Sequence, residues 1–285
     1  LLKNGKWIFS TDPSAAKSHT IRDRSVGLGF DMQQIPRDYL KSAQTLQLNT
    51  IADSSTEKVV KANTYTFTEP QIVQLGNGNL LLVWVDDPGV AVRPVDINRA
   101  ALFYSVYDGT TWSEPAMVSD DGTADASPVL KNIDGNVYLL WTNANAAFGE
   151  ATDYEEYCAS LDIAYARFDN ANAAFTDVTV IDTNESCDIL PDMALVNGIP
   201  TVVWIQNDAN DPFQASGGNK LYAASHKAGN WSVTVLADDL MVVDGLAVTG
   251  NGDVLNVYIS QDTDGDTSTV EDRELFRVSE NTVSQ

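Results

Sequence analysis

One pattern constrains this chain more than any other: a half-motif that recurs four times in the same order. An apolar run, a tight Asn/Asp-Gly turn and a second apolar run ending in an aromatic occur at Glu69–Val85, Ser127–Trp141, Leu190–Trp204 and Asp244–Tyr258. The closing aromatics, Trp84, Trp141, Trp204 and Tyr258, are spaced by 57, 63 and 54 residues. In the first three copies a proline (Pro70, Pro128, Pro191) precedes the aromatic by 14, 13 and 13 residues. A second half-motif follows each copy, at Ala101–Pro115, Asp162–Val178, Lys220–Leu236 and Glu274–Ser284, again two short strands about a turn.

Each unit is therefore four short strands rich in Val, Leu, Tyr and Trp, with hairpin residues at fixed places. Repeated units of this length and composition describe the blades of a β-propeller. A two-sheet sandwich would not repeat the same half-motifs in the same order. The expected fold is all-β, a single propeller domain over 1–285 with four clear repeats in 65–285. Dividing 285 residues by a 57-residue repeat favours five blades, with 1–64 as a degenerate one; six is the alternative. That segment opens with a hairpin-like stretch at Leu2–Ser10 and continues to an expected short helix at Pro36–Leu46, where proline suits the first turn.

Charge and composition exclude several functions. Seventeen basic against 40 acidic residues leave a net charge of −23, which repels phosphate backbones and anionic lipid surfaces. Hydrophobic residues at 44% still supply a core, so the charge does not imply disorder. Two histidines and two cysteines are too few for a zinc finger or a cysteine-rich cluster. The longest apolar run, Leu80–Val85, is far too short to insert into a membrane. Leu1 opens the chain without an initiator methionine or a charged-then-apolar leader, which reads as part of a longer, multidomain protein.

The turn Asp108-Gly109-Thr110-Thr111-Trp112 approaches an Asp-box with compressed spacing, while Asn230-Trp231 and Gly5-Lys6-Trp7 keep only the tryptophan. On these residues and on the repeat rhythm over 66–285, the chain resembles bacterial sialidase-like propellers of secreted or surface proteins. The resemblance implies a sugar-binding face. In the family's enzymes three arginines bind a sugar carboxylate, a Tyr/Glu pair is the nucleophile and an aspartate is the acid/base. Here Arg22, Arg24, Arg37, Arg93, Arg99, Arg167, Arg273 and Arg277 recur at no common blade position. Tyr154-Glu155-Glu156-Tyr157 could supply a nucleophile pair, but nothing places it on the propeller axis, and no catalytic residue is carried over.

Propeller connectivity separates the loops. Hairpin turns at Asn77-Gly78, Asp134-Gly135, Asn197-Gly198 and Asn251-Gly252 share one face. The opposite face collects the long loops 85–99, 143–159, 206–219 and 261–272 and the links 119–127, 182–190 and 237–244. Those segments hold 23 acids in 84 residues, about twice the chain-wide rate of 40 in 285. Asp is a turn-former, which accounts for part of the excess. The sharper reading is that these carboxylates hold calcium or accept a cationic or polyhydroxylated ligand. Phe148, Tyr154, Tyr157 and Phe213 lie off the structural rhythm and are the candidate sugar platforms, with Asp86, Glu155 and Asp208 as hydrogen-bond acceptors. Asp262, Asp264 and Asp266 alternate about Gly265, and with Asp272 they form the candidate calcium site; the spacing is not that of an EF-hand. Cys158 and Cys187 fall on the same face at the same blade, either as a disulfide of an exported protein or as two unrelated thiols.

The expected function is a non-catalytic, secreted or cell-surface module that binds a glycan or a protein through this acidic face. The rival is a glycoside hydrolase or lyase drawing its acid and base from Asp86, Asp87, Glu155, Glu156, Asp208 and Asp211, and a third reading is a structural spacer. A retaining glycosidase would hold two carboxyls about 5–5.5 Å apart, an inverting one about 6.5–9.5 Å.

Overall fold

Strand pairing in the computed structural model follows the repeat. The structure describes residues 2–3, 6–7, 60–61, 64–65, 68–89, 96–119, 121–149, 152–214, 217–264, 272–279 and 282–284. At the start of the chain β1 (Leu2–Lys3) pairs antiparallel with β2 (Lys6–Trp7), as the Leu2–Ser10 stretch predicts. The rest of the expected fifth blade, with the helix at Pro36–Leu46, lies outside the described residues.

Four antiparallel four-stranded meanders come next. Blade 1 is β3 (Gln71–Gln74), β4 (Leu80–Asp86), β5 (Ala101–Tyr107) and β6 (Ala116–Met117). Blade 2 is β7 (Asp125–Ile133), β8 (Asn136–Ala144), β9 (Leu161–Asp169) and β10 (Ala174–Val180). Blade 3 is β11 (Cys187–Val196), β12 (Ile199–Asn207), β13 (Asn219–Lys227) and β14 (Asn230–Leu240). Blade 4 is β15 (Val243–Asn251), β16 (Val254–Asp262), β17 (Arg273–Ser279) and β18 (Thr282–Ser284). This is a β-propeller of four-stranded blades. Among the described residues no helix is long and apolar enough to cross a membrane.

The core lies between blades. Successive strand residues face opposite ways, so a strand sandwiched between two blades must be apolar on both faces. Leu139 and Trp141 of β8 pack with Leu81, Val83 and Leu102 of blade 1, while Leu140 between them packs with Val202 and Trp204 of blade 3. Val203 and Ile205 then face Val257 and Ile259 of blade 4. Trp141 and Trp204 are buried in this way, while Trp84, also buried, stacks on Phe103 of its own blade. Tyr258 departs from the pattern: it is 39% exposed, on a blade that packs only against blade 3 among the described residues.

The repeat prolines have a backbone reason. Glu69, Ser127 and Leu190, each immediately before one, adopt φ of 38°, 52° and 54°. The register breaks at the last two, between Ala126 and Val129 and between Ile189 and Asp192. Proline, lacking an N–H, is tolerated at such bulges on a sheet-edge strand. These first strands lie side by side from blade to blade. Asp192 of β11 pairs with Lys131 of β7, and its Oδ2 accepts from Val248 N of β15 at 2.9 Å.

Candidate functional site

A four-stranded meander puts its first and third turns at one end and its middle loop and exit at the other. The described turns Asp134-Gly135 (φ 53° and 81°) and Asn197-Gly198 (φ 50° and 74°) have the left-handed pair that type I′ hairpins require. The other end carries the long loops, so the separation of faces holds. One link is shorter than expected: β14 runs to Leu240 and β15 begins at Val243, which leaves two residues of the predicted loop 237–244.

On the long-loop face a short helix, α1 (Tyr154–Ala159), caps the junction of blades 2 and 3. Asp153 N-caps it, its carboxylate accepting from Glu156 N at 2.9 Å. Phe148, expected to be displayed, is 5% exposed. Asn98, brought over from blade 1, holds its backbone from both sides, donating to Phe148 O and accepting from Phe148 N, each at 2.8 Å. The ring instead packs on Tyr157, centroids 5.0 Å apart, in a small cluster with Leu161, Cys158 and Cys187. Tyr154 and Tyr157 are half-buried against the same cluster, and burial pushes both phenols up. Glu155 and Glu156 point to solvent from α1.

Cys158 and Cys187 are buried free thiols in hydrogen-bonding contact. The Cys187 thiol holds Cys158 below its ordinary value, whereas the same contact and burial push Cys187 up. They share the long-loop face, as expected, but not one blade: Cys158 lies on α1 in blade 2, whereas Cys187 opens β11 of blade 3.

The carboxylates sort by partner. Asp86 is interior, 1% exposed: it accepts from Trp84 Nε1 at 3.2 Å, Tyr65 N at 3.1 Å and Asp87 N at 2.9 Å, and pairs with Lys61 at 3.4 Å. It organises the loop base rather than facing a ligand. Asp125 does the same in blade 2, accepting from Trp141 Nε1 at 2.7 Å. Asp87 pairs with Arg99. Asp208 is exposed, and its ion pair with Lys220 holds it below the usual carboxylate range. On the same loop Phe213 is 51% exposed, and the loop is fixed from within: Asn207 Oδ1 accepts from Ala209 N and Asp211 N, each at 3.0 Å, and Asn219 donates to Pro212 O at 2.8 Å.

Two acids that the sequence reading passed over have the least ordinary surroundings. Asp162 and Asp188 are wholly buried at the starts of β9 and β11. Burial pushes Asp162 up to about 6, partly offset by the Asn145 side chain and the Asn184 backbone N–H. Burial pushes Asp188 up to about 8, with the Trp204 indole opposing and the Asp162 and Asp182 charges adding to the rise. A signal existed for Asp188: like Asp125, it stands three residues before a repeat proline and 16 before a repeat tryptophan. Asp162 had none, since its register counterparts beside β4 and β12 are Ala101 and Lys220.

At blade 4, Asp262, Asp264 and Asp272 each bring an acidic oxygen within 4.8 Å of the others. Strand geometry does this: β16 ends and β17 begins with Asp262 opposite Arg273. Asp266 lies outside the described residues. All-oxygen donors on a hairpin loop fit a hard cation such as calcium.

No protein-family model and no curated protein matches the chain. Solved structures do. A Hadza microbial sialidase aligns at 11% identity with a TM-score of 0.52, over 74% of this chain and 44% of that one. A leech intramolecular trans-sialidase aligns at 10% identity with a TM-score of 0.50, over 80% of this chain and 52% of that one. This chain thus spans about half the length of each. The likeness is one of fold: a sialidase-like propeller.

Proposed function

We propose that this propeller is a glycan-binding domain of a secreted or cell-surface protein, working through its long-loop face without catalysis. The observation that carries the reading is Phe213, an apolar ring half-exposed on an internally hydrogen-bonded loop that also carries the exposed Asp208 carboxylate. An aromatic platform beside hydroxyl acceptors suits a sugar ring. The leech neighbour is in complex with 2,7-anhydro-Neu5Ac, which supports a sugar by analogy of fold alone. A net charge of −23 favours a neutral or amino-bearing glycan over an anionic one. The described arginines are otherwise engaged: Arg99 with Asp87, Arg273 with Asp244, Arg167 with Asn136 and Arg277 with Asn256. The raised acids Asp162 and Asp188 are the observation that favours the hydrolase reading, yet fully buried groups cannot reach a glycosidic oxygen in this conformation. Equilibrium binding to neutral, amino-bearing and sulfated oligosaccharides, with product analysis of each mixture, tests the reading. Binding of a neutral or amino sugar without cleavage supports it; cleavage, or no binding, contradicts it.

The reading includes calcium at Asp262, Asp264, Asp266 and Asp272, supported by the clustering of the described three. There the ion would tie β16 to β17 and shape the loop rather than react.

A further inference from the structure

The long-loop end of blades 2 and 3 holds a group of acids separate from that of blade 4. Asp162 Oδ2 accepts from Asn145 Nδ2 at 3.1 Å, but its Oδ1 has no hydrogen-bond partner. Neither oxygen of Asp188 closes a hydrogen bond of normal geometry, and neither does the Trp204 indole N–H that faces it. Both carboxyls are wholly buried. Asn184 lies between them, with its backbone N–H toward Asp162 and its side chain toward Asp188. Asp182 adds negative charge to both. Gln206 Oε1 faces the same place, 3.4 Å from Asn184 Nδ2. Lys220, the base of this region, is committed to Asp208.

Three buried carboxylate oxygens that close no hydrogen bond of normal geometry, with neighbouring acids as the charges that act on them most, is an arrangement that costs much free energy unless something compensates. Protons would neutralise the charge yet leave most of these oxygens unsatisfied. A hard cation lying between the two carboxyls would compensate both, because carboxylate and amide oxygens are its preferred ligands. Zinc is disfavoured: Cys187, next to Asp188, points to the other face of β11 and is held by Cys158.

We propose that Asp162 and Asp188, with amide oxygen from Gln206 and charge from Asp182, hold a calcium-type divalent cation that staples β9 of blade 2 to β11 of blade 3. Terbium, a luminescent probe that occupies calcium sites, tests this on the full chain after chelator treatment. Trp204 lies against Asp188, so tryptophan excitation should give sensitised terbium emission that calcium displaces. Asp188→Asn should cut that emission at least tenfold, and Asp264→Asn, at the blade 4 cluster, should leave most of it. Trp204→Phe keeps the ligands: it should lose the emission while retaining the wild-type calcium content by elemental analysis, which guards against variants that fail to fold. Absence of sensitised emission from the wild type, wild-type emission in folded Asp188→Asn, or loss of the emission in Asp264→Asn would overturn the site.

Discussion

A β-carbon on Gly250 would stand 1.9 Å from the carbonyl oxygen of Leu195, so glycine there is what lets β15 lie against β11. Backbone cannot rotate away as a side chain can. Gly250→Ala should therefore cost at least about 3 kcal/mol, the upper end for overpacking. Gly135 needs glycine for another reason: nothing stands within 4 Å of an added β-carbon, but its φ is 81°. Gly135→Val should cost only about 1–2 kcal/mol of left-handed strain. Urea unfolding at constant m-value checks both, with a larger midpoint shift for the alanine than for the valine. The reverse order would mean that the first strands do not approach as described.

At the scale of elements, the strands were legible and the loops were not. Nearly every half-motif read from the sequence became a hairpin, because alternation, turn residues and closing aromatics are local signals; at Ala101–Pro115 the return strand is only the Tyr107–Trp112 bridge and β6, just past the motif's end. The burial of Phe148 was hidden because its pin, Asn98, lies 50 residues away in another blade. Asp162 became notable only when blades 2 and 3 packed and removed it from water. The loop elements still carry two predictions. Cys158 and Cys187, in contact between α1 and β11, should oxidise to one disulfide under the oxidising conditions that the proposed secretion implies. Thiol titration of the denatured, unreduced chain should then find no free thiol, and reduction should lower stability by about 2–4 kcal/mol. Two free thiols after oxidative refolding would refute the bridge. At the β16–β17 loop, calcium at a hundredfold above its dissociation constant should add about 2.7 kcal/mol. Asp264→Asn should remove most of that gain, and sodium at matched ionic strength should not reproduce it. Equal melting curves in calcium and matched sodium would count against this cluster and against the staple between blades 2 and 3 alike; a gain unchanged in Asp264→Asn would count against this cluster alone.

For the whole molecule, blades packed in series give a rigid frame whose two ends differ in kind. One end is tight hairpins, fixed by left-handed turn residues; the other is long, acidic, cross-braced loops. Placing recognition at the second end is the central claim, and it predicts that binding and stability can be changed separately. The most direct test is calorimetric titration of the best-bound neutral or amino oligosaccharide into the wild type, Phe213→Ala and Gly135→Val. Losing the aromatic platform should weaken binding about tenfold, roughly 1.4 kcal/mol, with the melting temperature little changed. Gly135→Val, at the opposite end, should melt earlier yet bind with wild-type affinity below its transition. Unchanged affinity in Phe213→Ala, or weakened affinity in folded Gly135→Val, would contradict the account.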